Sequence, residues 1–325
     1  MSKYGLTEEQ YEKCLDDAAE KIEGISDYDW SEIIGKNNVN LHYDTFRKSQ
    51  QTIFGGYFVR EYYRQKQFSN GVISRILTLS DFHVPFNKPV NTYKNYVGVI
   101  DILQINGDVT DCQSLSRFPK SYRLSPMEEI IETRKYLIDL IEYIKPKQVI
   151  VTYGNHDIRF QSYLSKNLDS DILELMPKTS LELIIEDGFH HYDKRNRTKI
   201  WYEPLVNVFD DVEIKYMDNW YCQIGNTIFC HPIAFRSGIM KTAEQALYYF
   251  RNEGFEFNNL VLAHTHRIGS YKIGNCMIYE QGCCCETKKM KYNDGKLSFS
   301  QKEGFLYLGQ DKDGKVIKYK QEYLN

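Results

Sequence analysis

From Val72 onward the chain alternates short apolar runs with polar, glycine-bearing turns. Five runs end in residues that can bind metal or move protons. Arg75 to Ser80 leads into Asp81-Phe82-His83, Val99 to Asn106 into Gly107-Asp108-Val109-Thr110-Asp111, and Val149 to Thr152 into Gly154-Asn155-His156-Asp157. Thr227 to Cys230 ends at His231, and Leu260 to Ala263 at His264-Thr265-His266. Their β-branched content predicts buried strands. Between the second and third, Ser125 predicts an N-cap, with Pro126 at the first helical position and Glu128 at the third, for a helix through Ile144 that stops at Pro146. That makes a βαβ unit. Asp157 to Leu183 reads as helices broken near Pro177, and residues 186 to 204 as a solvated loop.

Beyond Val208 the pattern becomes one of hairpins, about Gly225-Asn226, Gly274-Asn275 and Asp313-Gly314. Residues 71–325 are thus expected to be an α/β domain of two packed, mostly mixed β-sheets flanked by helices.

Residues 1–70 read as a separate, all-helical appendage. Thr7 with Gln10 predicts a capping box for a helix to Ile25 ended by Gly24. A second helix, Tyr28 to Ile34, is expected to stop at Gly35, and a third pattern runs from Tyr43 to Lys66 with Gly55-Gly56 as its weak point. Charge divides sharply here: residues 1–35 hold 3 Lys+Arg against 10 Asp+Glu, residues 36–75 hold 7 against 2. Two short helices around a turn, the second basic and aromatic, fit a helix-turn-helix, with Arg47, Lys48 and Arg60 as phosphate contacts. A surface for a protein partner or a second copy of the chain, and helices that simply cover the α/β domain, are the other readings.

Composition changes this picture little. The 325 residues are 42% apolar, enough for a sizeable core, and the net charge of -3 gives no general nucleic-acid affinity, so basic surface must be local. One candidate is Lys194, Arg195, Arg197 and Lys199. No apolar targeting run or membrane-length segment is evident, so a cytoplasmic protein without membrane contact is expected. Three of the eight cysteines, Cys283, Cys284 and Cys285, are consecutive. They read as strand residues packing as small hydrophobes, a redox or metal role being the lesser reading.

The strand-end residues carry the chemistry. Asp81, His83, Asp108, Asn155, His231, His264 and His266 mix carboxylate, imidazole and amide oxygen, a donor set suited to manganese, iron or zinc. Seven ligands exceed one tetrahedral shell and suit two divalent transition-metal ions sharing a carboxylate.

Asp81-x-His83, Gly107-Asp108-x-x-Asp111, Gly154-Asn155-His156-Asp157, His231 and His264-x-His266, in that order over residues 75 to 285, resemble the calcineurin-like metallophosphoesterase superfamily, which includes nucleases. The helices ahead of such a core resemble gene products of bacteriophages or prophages. The resemblance implies Asp81, His83 and His266 on a first ion, Asn155, His231 and His264 on a second, and Asp108 between them. It implies hydrolysis by metal-activated hydroxide attacking phosphorus in line, with Mn2+ the favoured ion. His156 would protonate the leaving oxygen, Asp157 or Asp111 would orient ligands or His156, and Arg159 would meet a phosphate oxygen. Ala263, and Cys230 or Pro232, stand where the family usually has glycine. With the basic segments, the expected activity is a phosphodiesterase or nuclease on DNA or RNA. A phosphatase or phosphodiesterase for a small nucleotide or phosphoprotein, and an inert metal-containing nucleic-acid-binding module, are the alternatives.

Overall fold

The computed structural model describes residues 3–22, 26–55, 71–116, 122, 124–290 and 301–324. It divides into two compact units, residues 1–70 and 71–325.

In the first unit, helix α1 (Glu8–Ile22) opens on the expected reciprocal cap: Thr7 N donates to Gln10 Oε1 and Gln10 N to Thr7 Oγ1. Helix α2 (Trp30–Asn37) differs from expectation at both ends. Asp29 caps it, with Glu32 reaching back to the Asp29 amide, and Gly35 lies inside it. It stops at Asn38, whose left-handed backbone (φ 54°) ends the hydrogen-bond ladder. Helix α3 (Tyr43–Gly55) carries Arg47 and Lys48. Arg60, the predicted extension to Lys66 and Gly24 fall outside the described residues. Leu6, Cys14, Ile33, Val39 and Phe46 form the core between the helices. Each such side chain contributes about 1.5–3 kcal/mol through burial of apolar surface.

The second unit contains two main sheets. The first has the order β13-β12-β1-β2-β3-β6. Its strands are β1 (Ser74–Leu79), β2 (Ile102–Asn106), β3 (Gln148–Thr152), β6 (Glu213–Met217), β12 (Gly304–Gln310) and β13 (Val316–Tyr323). The run β1-β2-β3-β6 is parallel, and β12 closes on β1 antiparallel. The second sheet has the order β10-β11-β9-β8-β7. It comprises β7 (Tyr221–Ile224), β8 (Thr227–Cys230), β9 (Asn259–Leu262), β10 (Ile268–Ile273) and β11 (Cys276–Gln281). Strand alternation explains how the sheets stack. Phe229, Val261 and Tyr279 join Ile76, Ile150, Leu306 and Leu308 in one core between the sheets. The intervening Ile228, Cys230, Leu260 and Leu262 face the other way, onto Ala243, Ala246, Leu247 and Phe250 of a helix, Lys241–Asn252. The long helix Pro126–Ile144 has the predicted cap, Ser125 and Glu128 serving each other's amides.

Residues 186 to 204 depart from the expected loop. They fold as a separate hairpin, β4 (Phe189–Asp193) and β5 (Thr198–Tyr202), closed by a turn that Asp193 holds by accepting from the amides of Arg195 and Asn196. The stacked pair Phe189–Tyr202 pins its base. Among the described residues no helix is long and apolar enough to cross a membrane.

Candidate metal centre

Strands β1, β2, β3, β8 and β9 deliver their C-terminal residues to one place. Asp81 Oδ1 lies 3.0 Å from His266 Nε2 and 3.9 Å from His83 Nε2, and the two imidazole nitrogens are 3.2 Å apart. Asp108 Oδ2 is 3.8 Å from His83 Nε2 and 3.3 Å from His231 Nε2, which is itself 3.3 Å from Asn155 Oδ1. Asp108, His231 and His264 offer atoms within 4.8 Å of one another, as do Asp81, His83 and His266. All seven predicted ligands therefore converge, with the Asp108 carboxylate lying between the two groups.

The fit to metal rests on these spacings and on unmet valence. Bond lengths of about 2.0–2.2 Å put neighbouring ligand atoms roughly 3–3.5 Å apart, close to the distances between the imidazole nitrogens and oxygens here. His264 Nε2 is buried with no hydrogen-bond partner. His231 Nδ1 donates to the Asn106 carbonyl at 2.7 Å, leaving Nε2 as the lone-pair face, and Asp111 takes the same role for His83 Nδ1 at 3.1 Å. Electrostatics agree. Burial would raise Asp81, but His266 and His231 outweigh it and hold its carboxyl at about 2. Burial would lower His231, but Asp108 and Asp81 pull it up to about 9, so that a second ring proton supplies beside these carboxylates the positive charge that a metal at Nε2 would replace. Burial, reinforced by His231, pushes His264 down to about 4. Fully buried carboxylates of this kind require positive charge beside them.

Holding ligands so close strains the backbone. Asp81, His83, Asp108, His264 and His266 all take positive φ, between 47° and 74°. Positive φ is uncommon for non-glycine residues, and five of them meeting at one place mark a functional site. The role of Gly154 is also tertiary. A Cβ there would meet Asp108 Oδ1 at 2.2 Å and the Asp108 amide at 2.5 Å, so glycine is required by close approach of two strand ends, with no left-handed turn involved. By contrast Cys230, Pro232 and Ala263 have no positive φ, which is why side chains are accommodated there.

Asp157 and Asp111 divide the roles left open between them. Asp157 clamps backbone, accepting from the amides of Asp108, Gly154 and Thr110 at 2.8, 2.9 and 3.1 Å. Asp111 meets imidazoles: its Oδ1 is 3.1 Å from His83 Nδ1 and 3.0 Å from His156 Nδ1. The His156 amide donates to Asp108 Oδ1 at 2.7 Å, leaving Asp108 Oδ2 for the ligand side. Arg159 lies within the site, with Nη1 on the Asp111 carbonyl at 3.0 Å and Nη2 on His156 Nε2 at 2.9 Å. His156 Nε2 is therefore the acceptor of an Arg159 N–H in this geometry, and a phosphate oxygen that drew Arg159 away would free it.

A profile of the family described as calcineurin-like phosphoesterase matches residues 74–268, more than half of the chain. The chain belongs to the calcineurin-like phosphoesterase family. Similar solved structures include an archaeal phosphodiesterase (15% identity, 77% of this chain and 99% of that one, TM-score 0.33). Vacuolar protein sorting 29 of Cryptosporidium parvum is another (12% identity, 77% and 98%, TM-score 0.36). A metallophosphoesterase of Sphaerobacter thermophilus is a third (11% identity, 77% and 89%, TM-score 0.31). No curated protein matches. Calcineurin-like phosphoesterases depend on divalent metal, and the His/Asp groups above are candidate sites for it here.

Sequence patterns did not reveal Ser80, which donates to Asp81 Oδ2 at 2.6 Å, or the Asn106 carbonyl that orients His231. The second is a backbone role and leaves no side-chain signal. Phe235, whose ring lies 5.9 Å from that of His264, was missed because no strand pattern marks its loop. Arg47 and Lys48 belong to the first unit, and Arg47 is engaged by Asp44 at 3.2 Å.

Proposed function

We propose that this phosphoesterase hydrolyses phosphodiester bonds in polynucleotides, DNA or RNA, with two divalent ions at the strand-end site and manganese as the working metal. The observation that carries the reading is the β4–β5 hairpin. Lys194, Arg195, Arg197 and Lys199 are all exposed on it, together with Tyr192 and Trp201, which are 55% and 50% exposed. Exposed cations interleaved with exposed aromatic rings suit a single-stranded backbone, with charge tracking phosphates and rings stacking bases. A small terminal phosphate would use neither. Arg47 and Lys48 of α3 would supply further phosphate contacts or a contact for a protein partner.

Asp81, His83 and His266 would hold one ion, and Asn155, His231 and His264 the other, with Asp108 shared. Such ions supply an activated water and charge neutralisation at phosphorus. The chain's own residues do the rest. Asp157 keeps the Asp108 and Gly154 backbones in contact, and Asp111 fixes the His83 and His156 rings. Arg159 lies on the path to a phosphoryl oxygen; once it has turned to the substrate, His156 Nε2 is free to take up a proton from solvent and then give it to the leaving oxygen.

The test is an activity panel with Mn2+ supplied, comparing single-stranded and duplex DNA, RNA, a cyclic dinucleotide and bis(p-nitrophenyl) phosphate. Turnover of polynucleotide is expected. Replacing Lys194, Arg195, Arg197 and Lys199 by Gln should raise KM for it and flatten its salt dependence, leaving bis(p-nitrophenyl) phosphate unaffected. Hydrolysis confined to small esters, or a hairpin variant with unaltered KM and salt slope, would remove this reading in favour of a small-molecule phosphatase.

A further inference from the structure

The three consecutive cysteines lie beyond the end of β11, after the left-handed Gly282, and all are fully buried. They separate into two environments. Cys284 Sγ approaches the Gly304 carbonyl at 3.7 Å, whereas Cys283 and Cys285 pack against Met290 and Phe86. Packing as small hydrophobes accounts for the burial. It does not account for what the second pair faces.

A ring nitrogen of His266, the Cys283 thiol and the Cys285 thiol lie within 4.8 Å of one another. His266 is 6% exposed, and its Nε2 is already turned to Asp81 and His83, at 3.0 and 3.2 Å. The nitrogen left for the sulfurs is Nδ1, which is buried and makes no hydrogen bond of good geometry. A buried imidazole nitrogen met only by a weakly bonding thiol is poorly satisfied, and its available neighbours are two soft donors.

We propose that Cys283, Cys285 and Nδ1 of His266 form a separate site for a thiophilic cation of filled d shell, the class of Zn2+, Cd2+ and Cu+. Metal–sulfur and metal–nitrogen bonds of about 2.3 and 2.0–2.1 Å require donors roughly 3.4–3.8 Å apart, which the three side chains reach by closing on one another. On binding, both thiols lose their protons to solvent, as does Nδ1 when Nε2 already holds an ion. Cys283 gives up its 3.3 Å contact with the Lys302 carbonyl. The two nitrogens of one ring would then serve opposite chemistries, Nε2 a carboxylate-rich site and Nδ1 a thiolate site, so that the two sites select different metals. The inference rests on the placement of His266 Nε2 in the carboxylate-rich centre, and is independent of the substrate.

The test is titration of the full chain, first saturated with Mn2+, with Cd2+. An ultraviolet thiolate-to-cadmium charge-transfer band saturating at one ion per chain is expected, with sulfur neighbours in X-ray absorption at the cadmium edge. The Cys283→Ser/Cys285→Ser double variant should lose the band and keep its Mn2+-dependent activity. A band that survives in the double variant would assign the signal to other cysteines and overturn the site. Should the variant fail to fold, absorption from the unsubstituted chain decides, since a cadmium shell of nitrogen and oxygen alone rejects it. Failure of the polynucleotide reading would appear only in the activity panel and leave the cadmium signal intact.

Discussion

In α2 the chain follows its local signals: Asp29 and Glu32 cap the start, and Asn38, a residue that tolerates left-handed backbone, makes the end. At the ends of β1, β2 and β9 it gathers five such residues in one place, Asp81, His83, Asp108, His264 and His266 all taking the left-handed backbone that Asn38 takes singly. Each such residue costs on the order of 1–3 kcal/mol. The strain is sustained because the two sheets behind it bury a core whose members, from Ile76 to Leu308, are nearly all inaccessible. The contrast teaches where strain is concentrated: among the described non-glycine residues of the helical unit, positive φ falls at Tyr4 and Asn38, while the strand-end centre gathers five and is held in place by contacts made far along the chain.

The largest expected effect tests the division of labour within the centre. His156 is tied through its amide to Asp108 and through Nδ1 to Asp111, while the proposed ligand set is drawn from other residues. His156→Ala should therefore keep its metal complement by elemental analysis. Its rate should fall on the order of 10²- to 10⁴-fold on an ester with a poor leaving group, and much less with p-nitrophenolate leaving. Equal losses on both would point to phosphate stabilisation by the ring, and lost metal would make His156 a ligand.

Next comes the same small substitution made where approach is closest. In Gly154→Ala the new methyl would be driven into the Asp108 carboxylate and amide. Overpacking of this kind costs about 1–3 kcal/mol, and displacement of Asp108 should cost metal as well. Urea unfolding and metal stoichiometry measure the two losses. A stable Gly154→Ala protein with full metal would show that the strand ends can part without harm.

These two sites also show what sequence could and could not convey. The convergence of the candidate ligands was legible because they follow apolar runs within a few residues, which put them at strand ends; their division between two ions came from the family resemblance. The reason for Gly154 was not, since a turn glycine and a glycine pressed against Asp108 look alike in one dimension. For the same reason Asp157 and Asp111 could not be told apart: their partners are amides and rings brought together by β2 and β3. Basic residues at 194 to 199 were visible, but the hairpin was hidden by a polar composition that suits a loop equally well.

The N-terminal ends of the same strands offer a control in which charge is held without strain. Asp101, just before β2, accepts from Arg75 Nε at 2.7 Å, from Nη2 at 2.9 Å and from Lys147 Nζ at 2.9 Å. Burial opposes ionisation there, but Arg75 and Lys147 outweigh it and lower Asp101 from 3.8 to about 2. A carboxyl lowered in the folded state stabilises above its unfolded value and loses that contribution as pH falls through the folded one. Asp101→Asn should thus be less stable than the unsubstituted chain by about 1–2 kcal/mol at neutral pH after allowance for solvent screening. The gap should close between about pH 4 and pH 2, as followed by urea unfolding. A gap that is constant with pH would mean that the substituted amide fails for reasons of packing rather than charge.

The smallest effect has the opposite sign and returns to α2. Gly35 is exposed in the helix interior, its φ is not positive, and a Cβ built on it meets nothing within 4 Å. Glycine there only widens the choices of the unfolded chain. Gly35→Ala should consequently stabilise α2 by about 0.5–1 kcal/mol, an increase of roughly 2- to 5-fold in protection of its amides against hydrogen exchange. The same chemical change that disrupts the strand-end centre at position 154 would then strengthen the helical unit at position 35. The reason is the environment, since one Cβ enters solvent and the other enters a carboxylate. If Gly35→Ala instead loosened α2, the local account of the first unit would fail, and Gly35 would have to be holding a close approach that its own unit does not contain.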